Sequence, residues 1–157
     1  MIDYFHYFIT WTTYGTWLPG DLRGWSARRK GHQLPNSLLE RWCRDQMKDD
    51  AVLLSSNDRA TVEQACREHC AHRNWPLHAV SVRTNHVHVV LSSDVEPRKV
   101  CSQLKANCTR HLRVQGSPLV RERTWTRGSD IEFIASDDDL EMAVLYVLEA
   151  QDRKSHD

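Results

Sequence analysis

The sequence predicts an α+β fold, one domain spanning 1–157 in which helices pack on an antiparallel sheet. Three observations carry that prediction. The β-branched and aromatic runs alternate with helical periodicities in the order strand, helices, hairpin, helix, strand, helix. At 157 residues the chain has the length of one domain with a real core. A content of 40% hydrophobic and 27% charged residues, with six glycines and five prolines, excludes a disordered or fibrous chain.

The elements follow in order. Residues 4–13, YFHYFITWTT, have the aromatic and β-branched content of a strand near the centre of a sheet. YGTWLPGDLRGW breaks it, and a structured loop without regular elements is expected from about 14 to 36. LLERWCRDQMK reads as a helix. SNDRATVEQACREHCAHR reads as a second one, with Ser56, Asn57 or Asp58 as N-cap and Val62, Ala65, Cys66, His69 and Cys70 as its apolar stripe. Residues 77–83 and 85–92 form strands joined closely enough at Arg83, Thr84 and Asn85 to make an antiparallel hairpin. Pro97 opens a third helix over 97–114, with Val100, Cys101, Leu104, Cys108, His111 and Leu112 inward, and Gly116 and Pro118 end it. A basic loop carrying Trp125, a brief strand IEFI and a last helix from about 138 to 151, capped by Asp137, complete the chain. The apolar stripe of that helix is Leu140, Ala143, Val144, Val147 and Leu148, with Tyr146 beside it.

The zero net charge hides two opposed halves. Residues 98–127 hold eight basic side chains against one acid, and 128–157 hold nine acids against two bases. Arg23, Arg28, Arg29 and Lys30 add a second basic stretch near Trp17 and Trp25, the mixture of bases and aromatics that suits a single-stranded nucleic acid. No apolar run approaches the roughly 20 residues of a membrane helix, and MIDYFHYFITW has no basic leader region, so a cytoplasmic protein without a membrane partner is expected. Five cysteines, an odd count, fit reduced thiols. CREHCAH could pass for a zinc site, yet Cys66, His69 and Cys70 are the inward stripe of their helix and no second cysteine pair stands at zinc spacing. Core packing is therefore favoured.

Two features could carry chemistry. In NHVHVVL, His86 and His88 are two apart in a strand, so both imidazoles point to one face and can share a metal ion, while Val87, Val89 and Leu91 take the other. A lone His-x-His is more often a pair of surface histidines on a half-exposed sheet. Tyr146 is the only tyrosine outside the first strand and its loop.

Taken with ITWTTYGTWLPGD, VRTNHVHVVL, QLKANCTRHL, RTWTRGSD and LYVLEAQ, in that order, these features make the chain resemble the single-tyrosine transposases of the HUH endonuclease superfamily, including the REP-associated tyrosine transposases of bacterial genomes. The resemblance covers most of the chain. It implies a ferredoxin-like antiparallel sheet with helices packed on it, and an enzyme that cuts and rejoins single-stranded or hairpin DNA. It implies Tyr146 as nucleophile, His86 and His88 as ligands of Mg²⁺ or Mn²⁺, and a 5′-phosphotyrosine intermediate. Lys105, Arg110, Arg113, Arg123 and Arg127 would then meet phosphates, and Trp125 would stack on a base. TTYGTWLPGD could set Tyr14 and Trp17 against bases too, or form a loop packed under its own aromatics. The expected setting is the bacterial cytoplasm, at the nucleoid when bound to DNA, and exposed β edges could support a homodimer.

The family pattern places Gln or Asn four residues after the tyrosine, where this chain has Ala150. Glu149 or Gln151 would have to serve as third ligand. Glu149 is favoured by α-helical geometry, at about 60° from Tyr146, and Gln151, about 140° away unless the helix loosens, by residue type. Two rivals follow: a domesticated relative that binds hairpin DNA without cutting it, and a metal-dependent hydrolase that uses water as nucleophile.

Overall fold

A computed structural model describes residues 4–27, 29–120 and 123–150; Gln151, Arg28 and Arg121 lie outside the described residues. In chain order the elements are β1 (Phe5–Thr12), β2 (Trp25–Ala27), β3 (Gly31–Gln33), α1 (Ser37–Asp45), α2 (Ser56–Arg73), β4 (Leu77–Val82), β5 (His86–Ser93), α3 (Pro97–Gln115), β6 (Asp130–Ile134) and α4 (Asp137–Leu145), which runs into a π-helical turn over Tyr146–Ala150. Four strands form one antiparallel sheet in the order β4-β5-β1-β6. The first strand is central, as its composition predicts.

The side chains of β1 divide the molecule into two layers. Tyr7, Ile9 and Trp11 are buried with Val87, Val89 and Leu91 of β5 against Val62, Ala65, Cys66 and Cys70 of α2 and Val100, Cys101, Leu104, Cys108 and Leu112 of α3. The alternation of a strand then sends Phe8, Thr10 and Thr12 to the opposite face. There Phe8, Val90 and Ala79 meet Leu140, Ala143, Val144 and Val147 from α4 and the π turn. The sheet is thus covered on one face by α2 and α3 and partly covered on the other, where a cleft is left open.

Several local details differ from the sequence reading. The loop from 14 to 36 contains a small hairpin, β2 with β3, that its glycines concealed. Ser55, not the three residues after it, caps α2: its hydroxyl accepts from the Asp58 amide and the Asp58 carboxylate accepts from the Ser55 amide, a reciprocal pair one residue earlier than expected. Ser136 rather than Asp137 caps α4 by the same logic, since a hydroxyl there reaches the Asp139 amide. His69 and His111 sit at the rim of their stripes, where His69 pairs with Gln103 and His111 faces Glu68. Cys66 and Cys108 lie side by side in the core with sulfurs 3.6 Å apart, and burial pushes the neighbouring Cys70 thiol up to about 12. No described helix is long and apolar enough to cross a membrane.

Candidate active site

The open face of the sheet carries a cleft of about 1400 Å³. His86 and His88 of β5 point into it, because Val87, Val89 and Leu91 occupy the core on the other side. Their ring centroids are 4.6 Å apart. Tyr146, at the junction of α4 and the π turn, faces them: its ring lies 6.2 Å from that of His88 and 5.9 Å from that of Phe8. The three residues singled out in the sequence, sixty positions apart along the chain, therefore share one cleft.

Each imidazole is oriented by a neighbour. His88 Nδ1 is 2.7 Å from Thr10 Oγ1, the residue directly across the β1–β5 ladder, and His86 Nδ1 is 2.7 Å from Asn85 Oδ1. Metal-binding histidines commonly have an outer partner on one ring nitrogen and the metal on the other. The donor set fits a divalent cation in that sense: two same-facing imidazoles, each with an outer partner at Nδ1. Among the described residues no group of three or more histidines, cysteines or carboxylates could hold a metal ion, so a third protein ligand must be of another kind or lie elsewhere. Thr10 and Asn85 were not singled out from the sequence. Strand alternation sets Thr10 opposite Tyr7, Ile9 and Trp11, but only the β1–β5 register brings it across from His88.

The π turn changes what Tyr146 shares a face with. An α-helix closes through i→i+4 hydrogen bonds and a π turn through i→i+5, so the chain winds more slowly past Tyr146. Leu148 belongs to the expected apolar stripe but is 51% exposed, while Val147 is fully buried.

The cleft lining carries both signs of charge. Trp17, Arg23, Arg59, Arg83, Thr84 and Asn85 lie on its lining, and so do Asp130, Glu132 and Asp139. Arg59 comes from the first turn of α2 and Arg83 from the end of β4, so the basic residues belong to three separate stretches of chain and form no run in the sequence.

The expected DNA contacts divide between the two faces. Trp17 lines the cleft, whereas Tyr14 does not. Trp125 packs edge-on against Trp11, 6.3 Å between ring centroids, and its indole N–H donates to Thr109, so its ring belongs to the α3 side of the sheet. Lys105 donates to the carbonyls of Thr126 and Gly128, and burial lowers its pKa. Arg110, Arg113, Arg123 and Arg127 are exposed and outside the cleft. Glu149 is exposed.

An antiparallel sheet that presents a His-hydrophobic-His pair to a tyrosine on a later helix is the arrangement of the single-tyrosine HUH class. A family profile described as IS200-like transposase matches residues 46–150, more than half of the chain, and the chain belongs to that family. Among solved structures, a REP-associated tyrosine transposase bound to a REP hairpin superposes with a TM-score of 0.55 at 13% identity, over 96% of this chain and 68% of the other. A candidate transposase from Deinococcus radiodurans superposes with a TM-score of 0.54 at 11% identity, over 99% of this chain and 92% of the other. At those identities the likeness shows the fold. No curated protein matches significantly.

Proposed function

We propose that this transposase-family protein is a metal-dependent single-stranded DNA endonuclease that nicks and rejoins DNA through Tyr146. The observation that carries the reading is the meeting of Tyr146 with His86 and His88 in one open cleft. The Tyr146 oxygen attacks the scissile phosphorus in line; the new O–P bond forms as the P–O3′ bond breaks, the phenolic proton passes to a base, and the departing 3′ oxygen is protonated. The products are a 5′-phosphotyrosine on the downstream piece and a free 3′-hydroxyl. Reversal of the same step rejoins strands without a nucleotide cofactor.

His86 and His88 would hold Mg²⁺ or Mn²⁺ through Nε2. A bound cation there supplies Lewis-acid polarisation of the scissile phosphate. Thr10 and Asn85 keep the two rings in register for that task. The third ligand is proposed to be Gln151, with Glu149 as the alternative. What favours Gln151 is its residue type together with the slower winding of the turn over Tyr146–Ala150, which narrows the wide angle a regular α-helix would put between a residue and the fifth after it; the sequence has a carboxamide at that number and alanine at the fourth.

Hairpin-associated single strands are the proposed substrate, supported by the REP hairpin held by the structural neighbour. The exposed Arg110, Arg113, Arg123 and Arg127 would contact duplex or flanking DNA outside the cleft. The test is incubation with oligonucleotide hairpins labelled at either end, with Mg²⁺ or Mn²⁺, resolved on a denaturing protein gel. A metal-dependent adduct carrying only the 3′ label, absent in Tyr146→Phe and in His86→Ala/His88→Ala, is expected. Retarded DNA on a native gel with no adduct under either metal would replace this reading with binding alone. Cleavage that survives Tyr146→Phe would replace it with a hydrolase using water.

A further inference from the structure

Trp17 and Trp42 are the two exposed indoles among the described residues, and of the two it is Trp17, 38% exposed, that lines the cleft holding Tyr146 and is held in place there. Its N–H donates to the Gly24 carbonyl at 2.7 Å. The guanidinium carbon of Arg23 lies 3.9 Å from the ring centroid, on one face of the indole. Arg23 is itself fixed: Nε and Nη2 take the two Asp21 oxygens at 2.8 and 2.7 Å, and Nη2 also donates to the Thr16 carbonyl at 2.8 Å. Behind it, Gly20 has φ +90°, and a Cβ there would run into the Asn36 carbonyl and the Glu40 amide, so the loop is pressed directly onto the start of α1. Gly24, also at φ +90°, leaves no room for a side chain beside the His32 ring.

The indole is anchored on its buried side and leaves more than a third of its surface open to the cleft. The arrangement suits a surface that must meet a flat ligand. Arg23 lies over the ring, and Arg59 and Arg83 line the same cleft, so a strand that offers a base to Trp17 meets cations for its backbone there.

We infer that Trp17, braced by Arg23 and Asp21, is the stacking platform for one unpaired base of the DNA strand in the cleft, a positioning contact that sets where the strand lies relative to Tyr146. The inference rests on the reading of the cleft as a single-stranded DNA site. It does not depend on cleavage. Stacking on an aromatic ring tolerates any base, so Trp17 fixes the strand's position without specifying its sequence.

The test is a binding cycle run in chelator, so that no chemistry intervenes. The probes are fluorescein-labelled dT12 and a 12-unit abasic phosphodeoxyribose strand, with wild type, Trp17→Ala and Trp17→Phe. Because both probes are uniform, the result does not depend on the register in which the strand binds. The wild type should prefer dT12 over the abasic strand by about tenfold more than Trp17→Ala does, with Trp17→Phe between them, the size expected for one lost base stack. Affinity for the abasic strand should be equal in all three proteins. An equal preference for dT12 in wild type and Trp17→Ala overturns the inference, and so does an equal loss of both probes, which marks a merely structural tryptophan. Failure to bind dT12 at all overturns the inference and the single-strand reading together. Normal stacking in a protein that forms no covalent adduct would leave the platform standing and remove only the nuclease.

Discussion

At the scale of single residues, the site depends on hydrogen bonds that the catalytic pattern does not advertise. His88 reaches Thr10 across the ladder, and that contact orients the ring. Thr10→Val keeps the shape and removes the acceptor. Apparent Mn²⁺ affinity, read from the metal dependence of adduct formation, should fall about 10- to 100-fold, the range seen when an outer partner of a metal-bound histidine is lost. Unchanged metal dependence would show that Thr10 does not orient the ring. The histidine pair and Tyr146 were legible in the sequence because their residue types and spacing are unusual. Thr10, Asn85, Arg59 and Arg83 were not, because each is an ordinary residue whose role comes from the element across from it.

At the scale of elements, the π turn and the loop after β1 hold the site in place. Leu104 is fully buried under α2, and Leu104→Ala should cost about 2–5 kcal/mol in chemical denaturation. Leu148 stands at the edge of the last helix's apolar stripe and is half exposed, so Leu148→Ala should stay within about 0.5 kcal/mol. A loss as large as that at Leu104 would mean that Leu148 packs as a core residue.

The loop makes a second prediction. The Arg23 side chain, hydrogen-bonding Asp21, holds its carboxyl below the usual carboxylate range, against the opposing push of burial. A carboxyl with a depressed folded pKa contributes stability above its unfolded value, about 3.9, and loses it as pH falls through the lower folded value. The Tm difference between wild type and Asp21→Asn should therefore stay level from neutral pH to about 4 and close below it. A difference that closes between pH 6 and 7 would implicate a histidine instead.

The order of these elements was readable because hydrophobic period and capping residues are local. The β2–β3 hairpin and the shift from α to π winding were not. Both are set by contacts between distant segments: the Asn36 amide bonds to the Gly20 carbonyl, and Val147 settles into the cluster with Val90 and Ala79.

For the whole molecule, the sequence placed opposed charges in the last two fifths of the chain, and the fold redistributes them. The cleft draws Arg23, Arg59 and Arg83 from early segments and Asp130, Glu132 and Asp139 from late ones. A DNA backbone entering from the basic side would release counterions there, and each phosphate neutralised in a single strand contributes about −0.7 to the salt slope of log K. Arg59→Gln should lower the magnitude of that slope for dT12 by about one phosphate's share, while Arg113→Gln, outside the cleft, should leave it unchanged for so short a strand. The reverse outcome would move the single strand to the α3 side of the sheet. The account as a whole requires that one side chain of the cleft become covalently joined to DNA. The most direct measurement is mass spectrometry of the adduct after protease and nuclease digestion. The account predicts a nucleotide phosphate on the peptide containing Tyr146, and a nucleotide on Tyr14 or on any other residue would contradict it.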